Sequence, residues 1–386
     1  MKAKKIVVFW GGFIAILFAV FSYIALNQPL RTAIFRSVAK GNTYIISEAD
    51  TLYSFGYYGV KKWLVSENGS MELLAENNDF TDNCFVGRLI GRSGAVKGNN
   101  LYVVARSYLG GSGNRDDDNY LEGKLIVMRK NDLSVVQEID SDIKLIEANI
   151  NNGTMVVSGL KGFDIYDVSN PDTVIVAYQY RQEKFTEFQG VEIFEADSSV
   201  YVAFARFGEG VSIWDMTDVE HTHPIKDIAI QDTLTDGTVL PIGLQVFRVK
   251  LQYPYLYCTL APMKKVFGKT GDMRGVLVYD LSDMADVKSK ICLVPQDDYY
   301  TTKIGDPEPS HLDIYGDNLY VNFGEKGVAI FDISEPSSPI YEGVFDAGNS
   351  DNMILPLHIS HRGFLFTGDY YWAVSYTHLT LPTNSR

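Results

Sequence analysis

Cysteine is nearly missing from this chain. Its three copies, Cys84, Cys258 and Cys292, are too few and too scattered for a disulfide framework, and no CxxC or Cys/His spacing points to structural zinc. Free buried thiols are the expectation. Positive charge is also short: 34 Lys and Arg stand against 48 Asp and Glu, a net charge of −14 with no basic stripe. Nucleic acid and anionic membrane surfaces are therefore poor partners, because both are held through clustered cations. Sustained helical periodicity is absent outside one N-terminal run, and so are the GxSxG, HExxH, P-loop and dinucleotide-binding fingerprints. With 46% hydrophobic and 21% charged residues the chain is neither disordered nor fibrous. At 386 residues it has room for two average domains or one large all-β domain.

The two ends read differently from the middle. Ile6 to Leu26, "IVVFWGGFIAILFAVFSYIAL", carries no charge and is long enough to span a bilayer as a helix. Lys2, Lys4 and Lys5 precede it, which keeps residues 1–5 in the cytoplasm as a basic tip and exports everything that follows. A cleaved signal peptide is the alternative; the apolar run exceeds a usual signal core, and no clean A-x-A site follows, so an uncleaved anchor over 6–26 is expected. At the other end "VSYTHLTLPT", from Val374, looks like the translated reading frame of an adaptor used in preparing sequencing libraries. Residues 374–386 are set aside from fold reasoning, and the last repeat before them is expected to be truncated.

What the middle has is repetition. "GFDIYDVSNP" from Gly162 returns as "GVSIWDMTDV" from Gly210, "GVLVYDLSDM" from Gly275 and "GVAIFDISEP" from Gly327. Alternating runs precede these phrases: "NLYVVA", "TMVVSG", "SVYVAF", "YLYCTL" and "NLYVNF", with "TYIIS" at Thr43 and "FLFTGD" at Phe364 extending the series to seven starts. A further strand such as "GVEIFEA" or "HLDIYGD" comes before, and one such as "VIVAYQY" or "IYEGVFD" comes after. Each unit is thus four strands, and its aspartates recur about 50 to 65 residues apart, a propeller blade plus loops.

"GFDIYDVSNPDTVIVAYQY" and "GVAIFDISEPSSPIYEGVF" resemble the LVIVD repeat, an aliphatic run ending in Asp, then a Ser and Pro turn, then another strand. The likeness is good at four units. It is weak at "GKLIVMRKNDLSVVQEI", with Met128 where the Asp would be, and at "GVKKWLVSENGSMELL", which keeps only the turn. The resemblance covers about 31–373. It implies an all-β, nominally seven-bladed propeller of four-stranded blades in an exported protein, in a family without a common catalytic activity.

A residue repeated in every blade is scaffold rather than chemistry. Asp167, Asp215, Asp280 and Asp332 are expected to accept backbone N–H groups in turns, helped by Ser169, Thr217, Ser282 and Ser334, and the repeated glycine to let the chain turn sharply into the third strand. With strands A to D in each blade, the A–B turns are terse, while every long insertion is B–C or D–A and so lies on one face: 107–122, 231–243, 261–274 and 295–308. Binding residues concentrate on such loops.

On that face the candidate ligand-binding residues are Tyr108, Tyr120, Lys264, Lys265, Tyr299, Tyr300, His311 and His358. The two histidines fall near the start of inner strands and, with His361, form the one metal cluster worth testing. Asp116, Asp117 and Asp118 could hold calcium, although their spacing does not match an EF-hand loop and a solvated loop is the simpler account. His221 and His223 fall in a C–D turn on the opposite face, where a surface role is simpler. The sequence is therefore expected to encode a membrane-anchored, extracytoplasmic propeller of the cell envelope. It binds or adheres to a protein, peptide or carbohydrate through the B–C/D–A face, with no catalytic residue assigned. The alternatives are an envelope hydrolase or lyase using the channel mouth, and a structural scaffold of an envelope complex.

Overall fold

The computed structural model describes residues 42–369, except 57, 79–88, 108–122, 184–186, 231–232, 236, 241–242, 263–273, 296–310, 324–326 and 346–353. The expected anchor over 6–26 and the segment 374–386 lie outside the described residues. Among the described residues no helix is long and apolar enough to cross a membrane.

The described chain forms six four-stranded antiparallel meanders and one two-stranded sheet. The first sheet is β1 (Asn42–Glu48), β2 (Thr51–Gly56), β3 (Gly59–Val65) and β4 (Met71–Asn77); the second is β5 (Leu89–Lys97), β6 (Asn100–Ser107), β7 (Gly123–Arg129) and β8 (Val135–Ser141). The third is β9 (Leu145–Asn151), β10 (Thr154–Gly159), β11 (Gly162–Asp167) and β12 (Ile175–Arg181); the fourth is β13 (Val191–Ala196), β14 (Ser199–Ala205), β15 (Val211–Asp215) and β16 (His223–Ile228). The fifth is β17 (Leu244–Gln252), β18 (Tyr255–Pro262), β19 (Gly275–Asp280) and β20 (Lys288–Leu293); the sixth is β21 (Leu312–Tyr315), β22 (Asn318–Asn322), β23 (Val328–Asp332) and β24 (Ile340–Phe345). The last sheet is β25 (Ile354–Ile359) with β26 (Leu365–Asp369). First strands of successive sheets neighbour one another around a ring, and β25 meets both β21 and β1, which makes the chain a β-propeller.

Both faces of the middle strands are buried, which is why they read as unbroken apolar runs. In β10, Met155 and Val157 pack with Tyr102 and Leu125 of the second sheet, while Val156 packs with Val202 and Phe204 of the fourth. The same packing closes the ring. Leu357, Ile359 and Leu365 lie against Tyr320 and Val328, and Phe366 lies against Ile45, Leu52 and Val65.

The structure gives the repeated phrase two separate causes. The aspartates are turn acceptors: Oδ1 of Asp167, Asp215, Asp280 and Asp332 takes the N–H of Ser169, Thr217, Ser282 and Ser334 at 2.8, 2.8, 3.0 and 2.7 Å. The glycine, however, answers to close approach as well as to turning. A Cβ on Gly162, Gly210 or Gly275 would stand 1.9, 2.2 or 2.1 Å from the carbonyl oxygen of Tyr180, Ile228 or Cys292 on the outer strand. At Gly275 the backbone does not sit in the left-handed region, so proximity alone demands glycine there.

Two strand expectations need correction. "TYIIS" belongs to β1, the innermost strand of its sheet, whereas the other runs of that series are second strands; alternation looks the same in both. In the second sheet Arg129, not Met128, holds the aspartate position, because it pairs with Asn100 as Asp332 pairs with Asn318. There the turn acceptor moves to Asp132, which takes the N–H of Ser134 at 3.0 Å. In the first sheet Asn68 does the same for Ser70, also at 3.0 Å.

Gly275→Ala is expected to cost about 2 kcal/mol or more, as overpacking against fixed backbone does. Asp332→Ala is expected to cost ~0.5 to 2 kcal/mol, in line with loss of a capping oxygen. Urea denaturation of both variants checks the pair; a neutral Gly275→Ala would show that the outer strand moves aside.

Candidate functional site

Packing on both faces leaves the first strands one open direction, the axis of the ring, and there they carry charge. Glu147 follows Ile146 in β9, Glu192 follows Val191 in β13 and Asp313 follows Leu312 in β21, each a single acid between apolar neighbours. Arg248 and Lys250 of β17 answer them. Nε of Arg248 lies 3.1 Å from Oε2 of Glu147, and its Nη1 donates to Oε1 of Gln189 at 2.9 Å. Nζ of Lys250 lies 3.4 Å from Oε1 of Glu192 and 3.6 Å from Oδ1 of Asp313. Asn149 donates to Oε2 of Glu192 at 3.2 Å. All of these polar groups but Gln189, with Tyr44, His311 and His358, line a cavity of about 70 Å³ on the axis, room for a few waters or a small group.

Burial works against both Glu192 and Asp313 at this site, and their different partners separate their ionisation. Loss of solvent raises the Glu192 carboxyl above its ordinary range, and Lys250 opposes that only in part. Burial also works against the Asp313 carboxylate, but the hydrogen bond from His358 and the charge of Lys250 outweigh it and hold the group well below the usual range. Lys250 is raised, chiefly by Glu192, against its own desolvation. Burial and then Glu147 push Tyr44 up, so its hydroxyl stays protonated.

His358 joins this cluster to the ring closure. Its Nε2 accepts the backbone N–H of Ser47 at 3.0 Å and lies 2.7 Å from Oγ of the same residue. A backbone N–H can only donate, so the ring proton sits on Nδ1, 3.3 Å from Oδ2 of Asp313. Asp313 also accepts the N–H of Ile359 at 2.9 Å. The order Ser47, His358, Asp313 has the connectivity of a nucleophile, base and orienting acid. Two details favour a staple across β1, β25 and β21 instead: the backbone N–H of Ser47 shares the Nε2 lone pair, and the crevice that Ser47 lines is only about 10 Å³.

The predicted residues are placed as follows. His311 and His358 both line the axial cavity, and the His311 ring lies 5.9 Å from that of Tyr44. His361 instead faces Asp50, at 4.0 Å, on the closure side. The three histidines therefore do not converge, and among the described residues no group of three or more His, Cys, Asp or Glu is arranged to hold a metal. His221 and His223 are exposed, with Nδ1 of His221 2.8 Å from Asp218. Cys258 and Cys292 are free, the first fully buried and the second partly so. Tyr108, Tyr120, Lys264, Lys265, Tyr299, Tyr300 and Asp116 to Asp118 lie outside the described residues. The strand ends that flank them, at β6 and β7, β18 and β19, and β20 and β21, all lie at the end of the sheets where first strands begin.

Sequence reasoning passed over Glu147, Glu192, Arg248, Lys250, Asp313 and Ser47. The signal was partial: a lone acid inside an apolar first strand, as in β9, β13 and β21, has the axis to turn to, but nothing in the sequence pairs it with Arg248, Lys250 or Ser47.

Asp313→Asn tests the cluster through pH. A depressed carboxyl stabilises the fold above its unfolded value, about pH 4, and that contribution is lost as the pH falls. The variant is expected to be less stable at neutral pH by about 3 kcal/mol. Its stability should also fall less steeply than wild type below about pH 4. Urea midpoints measured across pH check both.

Comparison with known proteins agrees with this architecture. The LVIVD repeat model matches residues 309–347, which span β21 to β24, one complete sheet. No curated protein matches the chain closely enough to count as a relative. Among solved structures, a periplasmic gluconolactonase of Pseudomonas aeruginosa is similar, with a TM-score of 0.55 at 12% identity over 85% of this chain and 87% of that one. An ancestral GH74 enzyme is similar with a TM-score of 0.59 at 10% identity, over 89% of this chain and 48% of that one. At such identities the likeness concerns the fold. The chain is a β-propeller, and its residues 309–347 match the LVIVD repeat.

Proposed function

We propose that this propeller is a binding or adhesion module of the cell envelope, anchored through residues 6–26 with the propeller outside the cytoplasm, and that its ligand docks where the B–C and D–A connections meet the axial cavity. The observation that carries the reading is the axial set of Glu147, Glu192, Arg248 and Asp313, each largely enclosed, with the half-buried Lys250 between two of the acids. Charge is costly to bury and adds little to stability even when paired. Its concentration on one axis, along the first strands of successive sheets, fits recognition of a polar ligand such as a carbohydrate or peptide. The repeated aspartates end the third strands and serve the turns.

A second reading, an envelope hydrolase or lyase working at the channel mouth, has one observation behind it. Glu192 is raised and Asp313 lowered within one cavity, the separation that acid–base pairs require. The fold shared with a gluconolactonase and a GH74 enzyme is compatible with it. Loss of a measured polysaccharide- or peptide-cleaving activity on Glu192→Gln or His311→Ala, with folding intact, would select this reading.

Two measurements test the first. In cell fractionation the full-mass chain is expected in membranes, open to external protease once the outer barrier is breached; a shortened soluble species would show a cleaved signal. In a glycan- and peptide-array screen, the double change Tyr299→Ala, Tyr300→Ala should weaken capture about tenfold or more, as loss of exposed aromatic anchors does. Asp332→Ala should leave capture by the folded fraction unchanged. The reverse pattern would move the binding face to the aspartate turns.

A further inference from the structure

The repeat fails in two adjacent sheets, the first and second, and a cavity of about 610 Å³ lies between them at the turn end, opposite the proposed ligand face. In the third to sixth sheets the third strand ends in Asp167, Asp215, Asp280 or Asp332. In the second sheet that position is Arg129 and the next is Lys130, while the first sheet brings Lys62. One junction of that end thus gathers three cations, Lys62, Arg129 and Lys130, around a single cavity.

The cations are differently engaged. Arg129 is held by Asp172 at 2.6 Å and by Asn100 at 3.0 Å, and Lys130 pairs with Glu48. Among the described residues Lys62 makes one hydrogen bond, to the carbonyl of Asn131 at 3.2 Å, so two of its three N–H donors face the cavity or solvent. Lys62 is also directly cross-strand from Tyr53, and both line the cavity. Tyr53 is 2% exposed, and burial, with the Glu48 charge behind it, pushes its hydroxyl up to about 12, which keeps it a donor. Thr51, Asn99 and Asn131 add neutral hydroxyl and amide groups to the walls.

We propose that this inter-sheet cavity binds a sugar acid, its carboxylate on Lys62 and its hydroxyls on the neutral polar walls. A single carboxylate fits because Arg129 is already paired with Asp172 and Lys130 with Glu48, which leaves the Lys62 ammonium, whose charge otherwise acts on the exposed Asp132, as the cation that can receive it. The volume falls in the range of small-molecule sites. An ordinary solvated groove would show the same side chains but no preference among solutes.

Calorimetric titration of the full chain with glucuronate, glucose, inorganic phosphate and a short oligogalacturonate tests this. Glucuronate is expected to bind and glucose to bind about tenfold more weakly or not at all, the difference a charge-assisted hydrogen bond makes. Lys62→Gln, with an unchanged melting temperature, should weaken glucuronate about tenfold. Lys130→Gln serves as the second variant if Lys62→Gln fails to fold. A tighter oligomer points to the end of an acidic polysaccharide as the source, and equal affinity points to the free sugar; both support the site. Absence of glucuronate binding at about 10 mM, equal affinity for glucose, equal affinity for phosphate, or an unaffected variant overturns it.

Discussion

A sheet packed against a neighbour on each side leaves its charged residues three places: the axis of the ring, the outer edge, and the turns at the two ends. Met155, Val156 and Val157, consecutive in one strand and all fully buried, show how complete the exclusion is. Most of the charge in this molecule is sorted by that constraint; the exception is Asp164 of β11, fully buried between sheets and held there by Arg181, Gln179, Ser141 and Tyr166. The acids of β9, β13 and β21 meet the cations of β17 on the axis, the outer strands carry exposed polar residues, and the turn end carries the aspartates. The two ends differ because the terse connections lie at one and the long ones attach at the other.

The axial cluster and the basic cavity are both departures from repetition, and each gains meaning from the symmetry around it. A property shared by four sheets belongs to the fold, as the aspartate turns do. A property found once, such as Lys250 between Glu192 and Asp313 or Arg129 in place of an aspartate, has no counterpart in the neighbouring units that would make it a requirement of the architecture.

The fold was legible because its signals are local. Strand, turn and period could be read from "GFDIYDVSNP" and its copies, since turn chemistry and two-sided burial act within a few residues. The cause of the glycine was only half legible: the oxygen it must avoid, that of Tyr180 for Gly162, lies on the next strand. Arg129 was misplaced by one residue because the pairing with Asn100, not the spacing within the phrase, defines the position. The axial site was hardly legible. Glu147, Glu192 and Asp313 are each unremarkable alone, and their convergence depends on how successive sheets are arranged around the axis. His311 and His358 line the axial cavity, whereas His361, just after β25, faces Asp50, a separation that spacing along the chain does not reveal.

The staple of Ser47 to His358 joins residues 311 positions apart in the chain. Each four-stranded meander can form from its own neighbours, whereas the joint between the first sheet and β25 waits for the 311 positions that separate its two sides. At ordinary rates of synthesis that wait is on the order of half a minute. During it the face of the first sheet that bears Ile45, Leu52 and Val65 has no Phe366 to cover it. The nascent ring is an open arc with one apolar end uncovered, and its completion is a matter of timing as much as of final stability.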